Sequence, residues 1–307
     1  MDSDSVVGSI EGQRHYPLTT LRVIRGVLCL LVLVSTAFVL LVYFGFWTAI
    51  ILRFFSVHHS RKASAFFFGI WIALWPFFFE KINKTKVVFS GDQVPDKERV
   101  LLVANHRTEV DWMYLWDLAL RKGCHGYIRE QKCKRSQKYA SENGLPVLKN
   151  VLLPKTKGFY ACLENLRGSL DAVYDITIGY RHRSPSFLDN IFGVDPAEVH
   201  IHVNRVSLRE IPTSEIEVSS WLMNTFSLKD KMLSDFYRKG RFPREGSEQD
   251  LSQIKCAVNF IFVMILTGTC TFFTFFSIWF RIYVSLVCAY MASATCFNLR
   301  PTPIFQL

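Results

Sequence analysis

The stretch VLLVANHRTEVDWMYLW, Val100 to Trp116, decides the fold prediction. Its first five residues, Val100–Ala104, form a continuous apolar run, which is typical of a fully buried β-strand. Polar and charged residues begin abruptly at Asn105 and His106, and the pattern from Thr108 to Arg121 predicts a helix. The polar turn therefore lies at the carboxyl end of a strand, where open α/β sheets have their ligand sites.

Two residues of this turn and helix, His106 and Asp111, have the spacing of a base and its orienting group. On one continuous helix, five residues would turn their side chains about 140° apart. With His106 in the turn and Asp111 one turn into the helix, the carboxylate can accept a hydrogen bond from one imidazole nitrogen. The other nitrogen can then take a proton from a hydroxyl. The motif contains no serine, so the nucleophile would be a hydroxyl of the substrate.

A purely structural interpretation of the same residues stays open at this point. Thr108 and Asp111 have the spacing of a capping box. In this interpretation, their role is to cap the start of the helix and not to take part in chemistry. A lone H-x-x-x-x-D pattern also arises by chance. The buried strand before His106 and the membrane segments on both sides of it favour the chemical interpretation. The amino end of the helix would favour a phosphate or a developing oxyanion there.

Strand and helix patterns alternate through residues 85–250, which we predict to form a cytosolic domain. Further strands are predicted at Lys86–Gly91, Val151–Pro154, Ala172–Tyr180 and Val199–Leu208. Further helices are predicted at Lys157–Leu170 and Ser214–Lys239. The predicted fold class is therefore α/β, with a mixed or parallel sheet and flanking helices.

Apolar segments surround this domain in the sequence. No charged residue lies between Arg25 and Arg53, and a helix of about 27 residues is longer than the ~30 Å hydrocarbon core requires. A second apolar run, residues 63–79, either spans the membrane or lies at its interface. The chain is therefore predicted to be an integral membrane protein.

The C-terminal region contains two more apolar runs, Cys256–Phe280 and Ile282–Leu299, separated by Arg281. They predict a helical hairpin, or one span followed by an interfacial helix. The predicted organisation is a polar N-terminus over 1–20, membrane segments over 21–84, the domain over 85–250, and a hydrophobic hairpin and tail over 251–307.

Composition limits the classes of molecule to which the chain is expected to bind. It has 307 residues with a formal net charge of +10, and such a basic balance attracts nucleic acid or an anionic membrane. The basic residues lie beside apolar runs, and no zinc-finger or RNA-binding signature is present, so we favour membrane lipid over nucleic acid. The cysteines form no C-x-x-C pair, and we predict neither a disulfide framework nor a metal site.

The motif around His106 resembles the first motif of the membrane-bound 1-acyl-glycerol-3-phosphate acyltransferases. Other stretches are similar to the plant branch of that family, namely EKINKTKVVFSGD, LALRKGC, QKCKRSQKYA, GLPVLKNVLLPKTKGFYACLE and the C-terminal hydrophobic hairpin. The resemblance extends from about Pro17 to Ile304. It implies a membrane-anchored acyltransferase-like fold with a mixed sheet.

The resemblance also implies a reaction. His106 would deprotonate the free glycerol hydroxyl of lysophosphatidate, Asp111 would position His106, and the alkoxide would attack the thioester of acyl-CoA. Acyl-CoA would be a co-substrate, with no metal or other cofactor. The residues expected to contact substrate are Asn105, Arg107, Thr108, Pro154 and Lys155. For Lys155, an ordinary solvated lysine is an equally open interpretation.

Part of the family pattern is missing from this sequence. The family has two motifs between the first and the fourth, a basic glycine-containing stretch and a Phe-Pro-Glu-Gly-Thr element, and neither is present here. Instead, Cys124–Arg129 passes directly into Glu130–Gln137. We therefore predict an internal deletion near Arg129 and Glu130, which would leave the sheet incomplete and buried backbone groups without their usual partners.

These observations lead to two hypotheses. The first is an acyltransferase of phospholipid biosynthesis in the endoplasmic reticulum membrane, with several membrane passes and a cytosolic catalytic domain. The second is a catalytically impaired, truncated isoform that keeps its membrane anchors and associates with a full-length homologue. A serine-type lipid hydrolase is disfavoured because the sequence contains no G-x-S-x-G motif.

Overall fold

A computed structural model of the chain describes residues 18–95, 97–122, 148–181, 183–194, 198–244 and 252–299. The chain divides into two compact units. The sheet unit contains Asn83–Asp250, and the helical unit combines Thr19–Ile82 with Leu251–Leu307. The predicted junction at Arg129 and Glu130 lies outside the described residues.

The sheet unit contains four described strands, which are β1 (Lys86–Gly91), β2 (Val100–Ala104), β3 (Ala172–Tyr180) and β4 (Glu198–Ser207). Their order in the sheet is β1-β4-β3-β2. Strand β4 runs parallel to β1 and antiparallel to β3, while β2 runs parallel to β3. The sheet is therefore mixed. Because Ala104 at the end of β2 pairs with Ile176, the turn after β2 lies beside the last residues of β3.

The described helices are α1 (Thr20–Phe55), α2 (Val57–Ile82), α3 (Asp111–Lys122), α4 (Thr156–Leu166), α5 (Phe187–Phe192), α6 (Glu215–Lys239), α7 (Gln253–Phe276) and α8 (Ile278–Cys296), with short 3₁₀ turns at Arg167–Ser169 and Leu208–Glu210. Helix α1 includes π-helical turns at Leu40–Gly45 and Trp47–Ile51.

Helices α3 and α6 cover opposite faces of the sheet. The ring of Tyr180 in β3 lies against Tyr114 of α3, with 6.0 Å between ring centroids. A Cβ atom added to the neighbouring Gly179 would lie 2.9 Å from the ring of Phe236 in α6. Successive residues of a strand point to opposite faces, so β3 is covered on both sides. The prediction of an α/β fold with a mixed sheet and flanking helices is confirmed.

Helix α6 shows how the sequence builds this core. Its N-cap residue, Ser214, accepts a hydrogen bond from the N–H of Glu217, and Gly240 ends the helix with a φ of 76°. One stripe of the helix is buried at spacings of three and four residues, which are Val218, Leu222, Thr225, Phe226, Lys229, Leu233 and Phe236. Most of this stripe packs with Val103 of β2 and Val173 of β3.

The strand predicted at Val151–Pro154 is wrong. The residue before it, Asn150, bonds to α6. Its side chain donates to Asp230 O at 3.0 Å and to Ser234 Oγ at 2.8 Å. Val151 is buried in the core as an apolar residue without belonging to the sheet. Proline also has no N–H to offer a strand partner. An apolar run therefore marked burial here but not strand pairing.

One helix and one boundary also differ from the predictions. Helix α5 was not predicted, although its N-cap Ser186 and Asp189 form a capping box that is visible in the sequence. The break between the C-terminal helices lies at Ser277, whose backbone is extended, and not at Arg281. Arg281 belongs to α8 because its N–H bonds to Ser277 O at 3.2 Å, and a single charge does not interrupt that pattern.

The helical unit consists of α1, α2, α7 and α8, and each of the four is long and apolar enough to cross a membrane. Hydrogen bonds join helices from the two ends of the chain. Asn259 of α7 donates to Ile70 O at 2.9 Å, and Tyr283 of α8 donates to Val42 O at 3.0 Å. Many large apolar side chains of this unit remain exposed, as expected for a surface that contacts lipid.

Candidate functional site

The turn after β2 brings His106 and Asp111 together. Nδ1 of His106 lies 2.9 Å from Oδ2 of Asp111. The Asp111 side chain is 4% exposed, whereas 30% of the His106 side chain is exposed. The carboxylate is therefore held inside the sheet unit, and the imidazole extends from it toward the surface. This is the geometry that an orienting carboxylate and an accessible base require.

Asp111 also determines where α3 begins. Its Oδ2 accepts hydrogen bonds from the backbone N–H groups of Arg107 and Thr108. The carboxylate thus satisfies donors ahead of the first helical turn, and α3 starts at Asp111 and not at Thr108 as predicted. The Thr108 hydroxyl does not cap the helix. It donates to Pro185 O at 2.9 Å and so joins the turn to the segment that follows β3.

Tyr180, the last residue of β3, also contacts Asp111. Its hydroxyl donates to Asp111 Oδ1. Burial raises the pKa of Tyr180 well above that of a free phenol, and the negative charge of Asp111 raises it further. The phenol therefore stays neutral and remains a donor. Sequence analysis did not identify Tyr180, and the available signal was its place at the end of a buried strand.

Asn105 holds the turn to β3. Its Nδ2 donates to Ile178 O at 2.9 Å, and its Oδ1 accepts from Ile178 N at 2.8 Å. The residue is 2% exposed. Both ends of its amide are used within the fold, which favours a positioning role over the predicted contact with substrate.

Replacing Asn105 with alanine is expected to destabilise the sheet unit by about 1–3 kcal/mol, because the buried N–H and C=O of Ile178 lose their partners. Pulse proteolysis of the full chain in detergent at increasing urea concentration measures the unfolding midpoint. Asn165→Ala is the matched control, since Asn165 is exposed and its amide donates to Ala161 O within its own helix. Equal midpoints for the two variants would contradict this role of Asn105.

Arg107 is exposed beside the dyad, and its guanidinium contacts Tyr237 of α6. Its guanidinium carbon lies 5.1 Å from the centroid of the Tyr237 ring. Such a cation–π contact restrains the side chain. Burial raises the pKa of Tyr237, while the positive charge of Arg107 lowers it. Arg107 therefore supplies a positive charge next to His106.

The structure does not bring Pro154 and Lys155 into the group of residues bonded to Asp111. Pro154 lies in the irregular segment that precedes α4, and the exposed Lys155 ends that segment immediately before Thr156, the first residue of the helix. Their contact with substrate stays a prediction.

Lys229 of α6 is a residue that sequence analysis missed. It is 1% exposed, and its Nζ donates to Val103 O at 3.1 Å and to Ile176 O at 2.6 Å. It also forms an ion pair with Asp175 of β3. Burial lowers the pKa of Lys229, and the Asp175 charge opposes that shift. Lys229 therefore ties the end of β2 to β3 at the position from which the His106 turn departs.

The two histidines that alternate in β4 face the aromatic side chains beneath α6. Nδ1 of His202 lies 3.0 Å from Ser90 Oγ, and burial lowers the pKa of His202. The His200 ring centroid lies 5.0 Å from that of Phe236. Among the described residues, no group of three or more His, Cys, Asp or Glu side chains could hold a metal ion.

Comparisons with known proteins identify the family to which this site belongs. A family model described as Acyltransferase matches residues 86–134, which include the dyad, and one described as Acyltransferase C-terminus matches residues 190–263. The probable 1-acyl-sn-glycerol-3-phosphate acyltransferase 5 of Arabidopsis thaliana is 50% identical over 353 residues, covering 94% of this chain and 94% of that protein. The chain belongs to the 1-acyl-sn-glycerol-3-phosphate acyltransferase family.

Other acyltransferases are more distantly similar. The 1-acyl-sn-glycerol-3-phosphate acyltransferase 2 of Brassica oleracea is 28% identical over 54% of this chain and 59% of its own length. Lysocardiolipin acyltransferase 1 of Gallus gallus is 26% identical over 65% of this chain and 72% of its own length. No solved structure matches the chain.

The Arabidopsis alignment also bears on the missing motifs. It extends over 353 residues, which is more than the 307 residues of this acyltransferase family member. The relative therefore has residues that this chain lacks. Their absence agrees with the two motifs that are missing from the sequence, and the location near Arg129 and Glu130 stays a prediction.

Proposed function

We propose that the chain transfers an acyl group from acyl-CoA to the free hydroxyl of lysophosphatidate, giving phosphatidate and CoA. The observation that carries this proposal is the hydrogen bond between His106 and Asp111 in a chain of this family. The names of the similar plant proteins support the acceptor. The donor follows from the resemblance of the sequence motifs.

The proposed reaction uses both ring nitrogens of His106. Nδ1 donates to Asp111, while Nε2 removes the proton from the acceptor hydroxyl. The hydroxyl oxygen forms a bond to the thioester carbonyl carbon, and the bond between that carbon and sulfur breaks. CoA leaves as a thiolate, which takes the proton back from the imidazolium. Asp111 stabilises the imidazolium and holds the ring in the correct tautomer.

Positive charge beside the dyad supports an acceptor that carries a phosphate. Arg107 is exposed and is restrained by the ring of Tyr237. A guanidinium offers paired donors that match the geometry of phosphate oxygens. In this proposal Arg107 binds the acceptor phosphate, and the acceptor hydroxyl then lies next to His106.

The four apolar helices support a membrane location with several passes, where a lipid acceptor is available. We place this membrane in the endoplasmic reticulum, with the sheet unit on the cytosolic side, because the proposed acyl-CoA donor is supplied from the cytosol.

A second candidate is a chain without acyl-transfer activity that stays in the membrane and associates with a full-length homologue. The observation that favours it is the length of the Arabidopsis alignment, which exceeds that of this chain. An incomplete sheet would lose residues that hold the acceptor while keeping the dyad and the anchors.

One assay separates these candidates. Membranes from a host depleted of its own activity, with or without the chain, are given acyl-CoA labelled in its acyl group together with lysophosphatidate. The expected result is labelled phosphatidate only when the chain is present. Parallel reactions replace lysophosphatidate with lysocardiolipin, or acyl-CoA with free fatty acid. Transfer to lysocardiolipin alone would overturn the acceptor, and absence of transfer to every acceptor would support the second candidate.

A further inference from the structure

We infer that Tyr180 is a positioning residue of the acyl-transfer site, whose buried hydroxyl fixes the Asp111 carboxylate so that it can orient His106. The inference rests on the proposed function and adds to it a residue from a different strand. Tyr180 lies outside both segments matched by the family models, which are residues 86–134 and 190–263.

The hydrogen bonds of Asp111 show why this hydroxyl matters. Oδ2 accepts from His106 and from the N–H groups of Arg107 and Thr108, all of which belong to the same turn. Oδ1 accepts from Tyr180, across the sheet from β3. The last torsion of an aspartate is only weakly restricted by its own rotamers, so its orientation depends on the partners of both oxygens. Within the part of the chain that the structure describes, Tyr180 is the side chain that bonds to the second oxygen.

Tyr180 is itself firmly held. It is 1% exposed, and its ring packs against Tyr114 with centroids 6.0 Å apart. The Asn105 amide fixes the backbone of Ile178, two residues earlier in the same strand. The hydroxyl therefore presents its hydrogen to Asp111 from a fixed position. A donor held in this way adds little reorganisation when charge develops on the imidazole.

The same hydrogen bond affects the basicity of the dyad. A carboxylate that accepts one hydrogen bond fewer holds more negative charge for its remaining partners and stabilises a neighbouring imidazolium more strongly. Among the described residues, the charged or titratable groups that interact with Asp111 and Tyr180 include Tyr114 of α3 and Tyr237 of α6. Asp117 of α3 interacts with Tyr114, and Arg107 of the turn interacts with Tyr237. The substitution Tyr180→Phe leaves all of these residues in place, and the expected change is an increase in the basicity of His106.

The test compares Tyr180→Phe with Tyr114→Phe in the full chain in membranes. Both substitutions remove one buried hydroxyl, but the Tyr114 hydroxyl donates to Asn190 Oδ1 at 3.0 Å and not to Asp111. Tyr114→Phe therefore controls for the loss of a buried hydrogen bond and for effects on folding. Thermal unfolding in detergent verifies that both variants are folded.

Two readouts are measured for each variant. For Tyr180→Phe, kcat/KM is expected to fall roughly tenfold through kcat, and the acid limb of its pH profile is expected to move to higher pH. The second readout is the rate at which diethyl pyrocarbonate modifies His106 as a function of pH, measured by mass spectrometry of the His106 peptide. The reagent reacts with neutral imidazole, and the His106 side chain is 30% exposed.

The outcomes distinguish the inference from the proposed function. A shift of both profiles in Tyr180→Phe, with Tyr114→Phe resembling the unsubstituted chain, would support the positioning role. Modification profiles that are identical in all three chains would overturn it. The unsubstituted chain could transfer no acyl group while the His106 modification profile of Tyr180→Phe still differs from that of the unsubstituted chain. In that case the proposed function fails, and the role of Tyr180 in orienting the dyad stands.

Discussion

Replacing His106 with alanine is expected to lower kcat for acyl transfer to lysophosphatidate by about 10²- to 10⁴-fold, which is the usual contribution of a general base. The KM values of donor and acceptor are expected to change little, because the imidazole acts on the proton of the hydroxyl and does not hold the rest of either substrate. The measurement is the initial rate with labelled acyl-CoA in membranes that contain equal amounts of each variant.

Two further variants sharpen this comparison. His106→Gln keeps an amide that can donate to Asp111 but cannot act as a base, so it is expected to be as inactive as His106→Ala. His58→Ala is the matched control, since His58 is an exposed histidine of the helical unit. Activity of His106→Ala equal to that of the unsubstituted chain would exclude His106 as the base.

Replacing Lys229 with methionine is expected to destabilise the sheet unit by about 3–5 kcal/mol, the typical cost of removing one partner from a buried ion pair. The ammonium is 1% exposed and bonds to Asp175 and to two backbone carbonyl groups. Without it, the Asp175 carboxylate and both carbonyl oxygens lose their buried donor. Pulse proteolysis of the full chain in detergent at increasing urea concentration measures the change.

Two comparisons give the origin of that loss. Lys231→Met removes an exposed lysine two positions away on the same helix and is expected to have almost no effect. The double variant Lys229→Met, Asp175→Asn removes both charges and is expected to recover much of the lost stability, since it leaves no unpaired buried charge. If Lys229→Met and Lys231→Met unfold at the same urea concentration, the bonds of Lys229 to β2 and β3 contribute no stability.

The strands were predictable where apolar runs and pairing coincide. Lys86–Gly91, Val100–Ala104 and Ala172–Tyr180 have the bounds that the sequence indicated. Val151–Pro154 shows why pattern alone fails, because an apolar run reports burial and does not report which backbone groups find partners in a sheet. Helix α5 is only six residues long, too short for its periodicity to stand out.

For the site, the sequence could bring together only residues that are close along the chain. His106 and Asp111 belong to one turn, so their meeting followed from the strand and helix around them. Tyr180 reaches Asp111 from 69 residues away, and this contact depends on the parallel pairing of β2 with β3. Lys229 did leave a signal, because it occupies the buried stripe of α6, where a lysine needs a partner.

The helical unit takes two of its helices from before the sheet unit in the sequence and two from after it. The sheet unit is thus a long insertion within the chain of a membrane anchor. A shorter insertion removes none of the four apolar helices from the sequence. The apolar helices that can hold the chain in a bilayer and the residues of the candidate site are therefore encoded in separate stretches of the sequence.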